Sequence, residues 1–301
     1  MGTDATAADD GLSQGIVRTY LYMRVAVAAM VLLLFVGLGV QIVHDGGDLR
    51  SSMSAYFYSP VQSIFVATLV AAGILAIAIR GRPGPENALL DIAGLLLPIV
   101  AAIPTPLKGD EGAACPRREA CVPARYLDLV DVTVTSLAIV GLAGLVFAFF
   151  TLRARRWGDR FDRGGLAAAT ALWVLFVPGF WGWWGEGVRG WILDLGHYAA
   201  AISAIAAMIA VAFLNARDTG HTFSFARRPL RAAPVYRAIA WALAVVLALG
   251  AVIGVVELRR GSADTTPLVF WIEAAVLGLF AIFWTVQTLE YRQSGLPVEA
   301  R

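Results

Sequence analysis

Residues 268–289 read LVFWIEAAVLGLFAIFWTVQTL, an apolar run interrupted by one ionisable group, Glu273. At 1.5 Å rise per residue, about 20 residues of α-helix cross the hydrocarbon core of a bilayer. This segment is long enough to span. Thr266 and Pro267 precede it, and proline suits a first helical position because its missing N–H would have no partner there anyway.

Seven further runs share the pattern, near 25–43, 59–79, 88–104, 132–152, 166–184, 198–214 and 238–256, and Ser59, Pro60 and Gln62 give the second a capping-box start. The 301 residues are 58% hydrophobic and 15% charged, against roughly 45–50% and about 25% in ordinary soluble domains. That surplus has to face lipid. The predicted fold class is therefore all-α, a polytopic membrane protein forming one domain over 1–301, a bundle of eight transmembrane helices with residues 1–17 as a disordered cytoplasmic tail.

The net charge of +2 is spread over loops and not gathered into a patch, which excludes a nucleic-acid partner. Of the 24 basic residues, sixteen fall on the side of the N-terminus and eight on the other. By the positive-inside rule both termini lie in the cytoplasm, as an even helix count requires, and the protein is placed in the plasma or inner membrane. MGTDAT at the start matches a myristoylation pattern, yet one acyl chain adds almost nothing to eight spanning helices.

The two cysteines, Cys115 and Cys121 in CPRREAC, fall in a loop outside the cytoplasm, where a disulfide can persist. A short staple is the expectation, with free thiols as the alternative. Structural zinc takes four ligands and catalytic zinc three, and neither His44, His197 nor His221 stands in a His-x-His or His-x3-His pair. No metal and no cofactor is expected. Gly141 and Gly144, with Ala138 and Ala148, give the fourth helix a small-residue packing face.

Ionisable groups inside spanning helices are costly, so those present carry information. Asp91, near the inner start of the third helix, sits where the helix dipole favours a carboxylate and suits a structural role with Glu86 and Asn87. The others gather at outer helix ends: His44 and Asp45, Asp128 and Asp131, His197 opening the sixth helix, and Glu273 about two turns into the eighth. SMSAYFYSP, residues 52–60, belongs to the same end. Read as extended chain with period two, it puts Ser52, Ser54, Tyr56 and Tyr58 on one face and Met53, Ala55 and Phe57 on the other.

A carboxylate near a histidine can exchange protons, and a serine hydroxyl beside that histidine can become a nucleophile. Ser54, His197 and Glu273 are accordingly the candidate catalytic residues. Tyr56, Tyr58, Asp131, Trp183, Trp184, Glu186 and Trp271 are the candidate ligand contacts. The tryptophans equally suit an interfacial belt, where an apolar ring keeps a wet N–H.

MSAYFYSPVQSIFVATLVAAGILAIAIRGRPGPENALLDIAGLLLPIVAAIPTP, HYAAAISAIAAMIA and FWIEAAVLGLFAIFW together resemble an uncharacterised group of bacterial multi-pass membrane proteins. Those have a serine/tyrosine-rich start to an early helix, a later helix opening with histidine and a last helix opening with an aromatic pair and glutamate. The resemblance covers Ser52 to Pro106 and His197 to Glu290, with the two helices between as an addition. More distantly the layout is similar to the seven-helix ceramidase and progestin-receptor-like superfamily, which implies zinc-dependent lipid amidase chemistry. Here Tyr58 follows Ser54, Asp91 stands as the aspartate and Ala201 occupies the place of a second histidine after His197, so the zinc chemistry does not carry over. The DRAM and Frag-like membrane proteins are a comparably loose match.

The resulting expectation is a polar pocket at the outer leaflet that binds or processes a lipid or other amphiphile. Alternatives are a transporter or channel for a small solute, or a non-catalytic accessory or receptor-like protein. Membrane lipids are the expected partners, and a homo-oligomer stays open. An enzyme requires Ser54, His197 and Glu273 within hydrogen-bond reach in a closed-bottomed cavity; a transporter requires that cavity to reach Asp91; an accessory protein requires no cavity.

Overall fold

The computed structural model describes residues 3–79, 81–82, 84–107, 121–156, 160–217, 222–225, 228–260 and 267–292. The chain runs through α1 (Thr3–His44), a 3-10 turn η1 (Ser54–Tyr58), α2 (Gln62–Ala78), α3 (Pro85–Ala102), a second 3-10 turn η2 (Ala124–Tyr126) and α4 (Leu127–Ala154). It continues through α5 (Arg160–Phe180), α6 (Glu186–Ala216), a hairpin of β1 (Thr222–Phe225) and β2 (Arg228–Arg231), α7 (Ala232–Arg260) and α8 (Leu268–Glu290).

The all-α polytopic architecture holds in its coarse form. Among the described residues seven helices are long and apolar enough to cross a membrane, and α2, at 17 residues, is shorter. The reason lies before α2. Ser59 does not form the expected capping box; its hydroxyl donates to the Tyr56 carbonyl at 2.7 Å, and helical backbone starts only at Gln62, after an N-cap Val61 that makes no side-chain cap bond.

Other boundaries also differ from the sequence reading. The segment expected as a tail is helical from Thr3 onward, in keeping with its run of alanines, the strongest helix formers. Helix α5 stops at Phe180 just after Pro178, and α6 begins at Glu186, so Trp183 and Trp184 lie in a turn. His197 therefore sits three turns inside α6 and does not open it. The short hairpin, paired antiparallel from Thr222↔Arg231 to Phe225↔Arg228, was not anticipated in a helical bundle. Cys115, with the expected disulfide to Cys121, lies outside the described residues.

Six helices close a ring in which α1 packs on α2 and α8, α2 on α3, α3 on α6, α6 on α7 and α7 on α8. Helix α5 docks outside this ring against α3 and α6, and α4 lies on α5. The outward faces of α4 and α7 are apolar, with Val140, Phe147, Val245 and Val252 exposed, as lipid-facing helices should be. Two buried clusters stack along the bundle. One surrounds η1 with Leu38, Phe57, Ile103 and Phe270; the other, toward the hairpin, holds Val27, Val211, Tyr236 and Trp284.

Helices α2 and α3 meet backbone to backbone at a reciprocal pair of glycines. A Cβ on Gly73 would lie 2.6 Å from the Gly94 carbonyl oxygen, and one on Gly94 would lie 2.6 Å from that of Gly73. Neither neighbour is a side chain that can swing away. A second close approach seats Trp173 of α5 on Gly141 of α4, where its indole N–H donates to the Ala138 carbonyl at 3.1 Å. Gly144, expected in the same packing face, meets nothing within 4 Å. Alanine for glycine inside a helix gains up to about 1 kcal/mol in propensity, whereas overpacking costs about 1–3 kcal/mol. Gly94→Ala should therefore lose stability by about 1–2 kcal/mol net while Gly144→Ala does not. Thermal unfolding in detergent checks this, and equal midpoints for the two variants would contradict the contact.

Candidate functional site

The segment between α1 and α2 folds inward. Ser54–Tyr58 is a 3-10 turn and not extended chain, and all five of its residues are buried, so the two-faced comb expected from the alternation does not form. The turn satisfies its own backbone: the Ser52 hydroxyl accepts from the Ala55 N–H at 2.9 Å, and the Tyr56 N–H donates to the Met53 carbonyl at 3.1 Å. Aromatic contacts hold it from outside, with Tyr56 against Phe270 at 6.1 Å and Tyr58 edge-on to Tyr126 at 4.8 Å. The Phe270 N–H donates to the Ser51 carbonyl at 3.2 Å and joins the start of α8 to the same segment.

This packing delivers Ser54 to a point between two helices. Its Oγ lies 2.8 Å from Glu273 Oε1 on α8 and 2.9 Å from His197 Nε2 on α6. The Ser54 backbone N–H donates to Glu273 Oε2 at 2.9 Å. On its other side the His197 ring presents Nδ1 to two backbone carbonyls of α3, Ile103 at 2.8 Å and Val100 at 3.2 Å.

Carbonyl oxygens only accept, so Nδ1 carries a hydrogen. Two proton placements then satisfy every atom. With Glu273 ionised, a doubly protonated imidazole donates to Ser54 Oγ, and the hydroxyl donates to the carboxylate. With Glu273 protonated, the carboxyl donates to Ser54 Oγ, and the hydroxyl donates to a neutral Nε2. Either way the serine hydroxyl is the bridge by which a proton passes between carboxyl and imidazole.

A cavity of about 140 Å³ adjoins this trio. Ser54, His197 and Glu273 contribute to its wall, and the remaining lining, from all six ring helices and η1, is apolar except for Thr68. Thr68 turns its hydroxyl to the Met30 carbonyl at 3.1 Å. The lining residues Ala201 and Ile205 of α6 and Ile272 and Val276 of α8 are only half-buried. Left empty, a void of 140 Å³ would cost about 3 kcal/mol at ~24 cal/mol per Å³. Such a space suits an apolar occupant.

The other candidate ligand contacts lie elsewhere. Tyr56 and Tyr58 are buried in the packing of η1 and do not line the cavity. The Tyr58 hydroxyl donates to the Thr105 carbonyl at 2.9 Å, and Thr105 Oγ1 meets the Tyr198 hydroxyl at 2.7 Å. Asp131 is held by Arg189, whose NH2 group reaches its two oxygens at 2.7 and 3.0 Å, a clamp between α4 and α6. Trp183, Trp184 and Trp271 are 74%, 55% and 59% exposed, and Glu186 is exposed in the first turn of α6. Outward tryptophans of this kind suit a membrane interface. Asp91 is half-buried in α3 and does not line the cavity. Among the described residues no group of three or more histidine, cysteine or acidic side chains is placed to hold a metal.

A second polar cluster, at the hairpin end, was missed. Arg24 of α1 is fully buried over the Tyr291 ring, its guanidinium 4.9 Å from the centroid, and Arg82 donates to the Tyr291 hydroxyl at 3.2 Å. Asn215, Arg82 and Arg24 surround the buried Glu86, and the Tyr236 hydroxyl donates to Glu290. The signal in the sequence was Arg24 standing one residue before an apolar run; it was counted with the loop charges instead.

Comparison with family models, with curated proteins and with solved structures finds no match, so function has to be read from the site itself.

Burial and the neighbouring Glu290 push the Tyr291 hydroxyl up to about 12, partly offset by the Arg82 bond. A phenol is neutral when protonated, so a folded-state value above the ordinary one stabilises the fold below about pH 10 and loses that contribution as pH rises through about 12. Thermal unfolding across that window should show the decline, and Tyr291→Phe should shallow it. An unchanged alkaline slope in the variant would dissociate Tyr291 from it.

Proposed function

We propose that this is an eight-span protein of the plasma or inner membrane, both termini cytoplasmic, that holds a single-chain amphiphile with its tail in the cavity and its polar group at Ser54, His197 and Glu273. The observation that carries the reading is the shape of polarity in that cavity. Its polar groups are gathered at one end, while Leu69, Ala93, Ala204, Met208 and Phe280 continue the wall in apolar side chains.

Size supports one chain. A water-sized group needs about 10–15 Å³ of such volume, so 140 Å³ accommodates roughly ten methylene-sized groups. Along α8, from Glu273 to Phe280, the wall runs about 10 Å at 1.5 Å per residue. None of the hairpin-end cluster is among the lining residues, which supports a pocket over a through-channel. The α2 helix completes the eighth crossing in this reading, its 17 residues lengthened by the buried turn before it.

Energetics decide where selectivity resides. Moving a methylene out of water is worth about 0.8 kcal/mol, but bilayer tails are as apolar as the cavity wall. For a ligand arriving from the membrane the tail therefore contributes little, and the polar end must choose.

A photoactivatable monoacylglycerol with the diazirine in its chain tests this in nanodiscs. Cross-links should map to α6 and α8, and Ala204→Trp and Ala201→Phe, both of which fill the cavity, should each reduce them at least ten-fold. Undiminished labelling in both would remove the proposal. Orientation is tested separately by thiol labelling from outside intact cells: Asp48→Cys should react there and Arg155→Cys should not, and the opposite pattern would invert the topology.

A further inference from the structure

We infer that Ser54 is a nucleophile and that the protein hydrolyses acyl esters carrying one long chain, an inference that rests on the amphiphile pocket proposed above. Three observations combine. The Ser54 hydroxyl is 2.9 Å from His197 Nε2. The imidazole is fixed by the Ile103 and Val100 carbonyls at Nδ1, which directs the Nε2 lone pair of a neutral ring at the serine. Those carbonyls orient the ring as a carboxylate does in other serine hydrolases. Finally, Ser54 is among the residues lining the 140 Å³ cavity, so the carbonyl at the head of a chain seated there would come beside Oγ.

Glu273 fits the neutral proton placement. Its Oε2 accepts from the Ser54 N–H at 2.9 Å and Oε1 lies 2.8 Å from Ser54 Oγ, so a proton on Oε1 would be shared with the serine hydroxyl. No net charge then stands against the apolar wall, where an unpaired one would be costly. A protonated carboxyl held in this way can donate a hydrogen bond to a developing oxyanion.

The reaction balances with water as the only co-reactant. Ser54 Oγ bonds to the ester carbonyl carbon as its proton passes to His197 Nε2, and the carbonyl oxygen takes the electron pair and a hydrogen bond from Glu273. The carbon–oxygen bond to the alcohol breaks, and the alcohol leaves with the proton from His197. Water then attacks the acyl-serine, giving a proton to His197. The carbon–Oγ bond breaks, Ser54 recovers its proton, and the fatty acid is released.

The test uses the full-length protein in nanodiscs with a decyl fluorophosphonate, followed by peptide mass mapping. An adduct on Ser54 is expected in the unsubstituted protein, absent in Ser54→Ala and formed at least ten-fold more slowly in His197→Gln. Glu273→Gln should slow it less than Glu273→Ala, because the amide still donates; a Gln variant as slow as the Ala variant would overturn the donor role of Glu273. Ala201→Phe, which fills the cavity, should slow hydrolysis of p-nitrophenyl decanoate by ten-fold or more while leaving that of the acetate within two-fold. No Ser54 adduct while the photoactivatable monoacylglycerol still cross-links α6 and α8 would sink the hydrolase and leave the binding site standing. Loss of both would sink the pocket.

Discussion

A polar group buried in an apolar bundle must find its partner within the protein, since no water is at hand to supply one. Ser54 answers that demand for two helices at once. Its hydroxyl lies within 2.9 Å of both Glu273 on α8 and His197 on α6, and its own position depends on the inward fold of residues 51–58. Removing one member of such a set leaves another buried group unmatched, which typically costs more than the bond itself contributes. The turn, the two helices and the α3 carbonyls that hold His197 thus constrain one another, and the cavity inherits its polar end from that constraint.

The bundle separates its polarity by height. The trio occupies one end of the apolar cavity, and the cluster of Arg24, Arg82, Glu86, Glu290 and Tyr291 lies toward the hairpin. Between them the ring interior is aliphatic and aromatic. A close approach of α2 to α3 is carried by Gly73 and Gly94, where dispersion and backbone contact replace a hydrophobic drive that lipid tails would cancel.

Glu273 was legible because one carboxylate in a 22-residue apolar stretch must find a partner, whether for helix packing or for chemistry, and His197 was legible for the same reason in an alanine-rich segment. Charge counting then placed both at the end that holds Ser54. The conformation of residues 52–58 was not legible. Alternating hydroxyl and apolar positions fit an extended strand as well as a buried turn, and only the aromatic packing around Tyr56 and Tyr58 decides between them. The same blindness to direction affected Trp183, Trp184, Glu186, Trp271 and Asp131, which share an end of the bundle with the trio but lie outside its cavity. Arg24 and Glu86 were misread because span boundaries drawn from hydropathy stop at the first charge, whereas α1 and α3 carry their charges inside the helix.

A structural pin between α6 and α8 would need only a direct bond between carboxyl and imidazole. Here a hydroxyl is inserted between them, and it belongs to neither helix but to a turn that the chain buries at the expense of five residues of surface segment. Carboxyl and imidazole are then joined by hydrogen bonds through one hydroxyl, with the imidazole's far nitrogen fixed by carbonyls. A pin also needs no void beside it, because close packing is what gives an interior its cohesion. Ser54 also stands in the wall of the cavity, so the hydroxyl that links carboxyl and imidazole borders an apolar space, a combination that helix packing alone does not require.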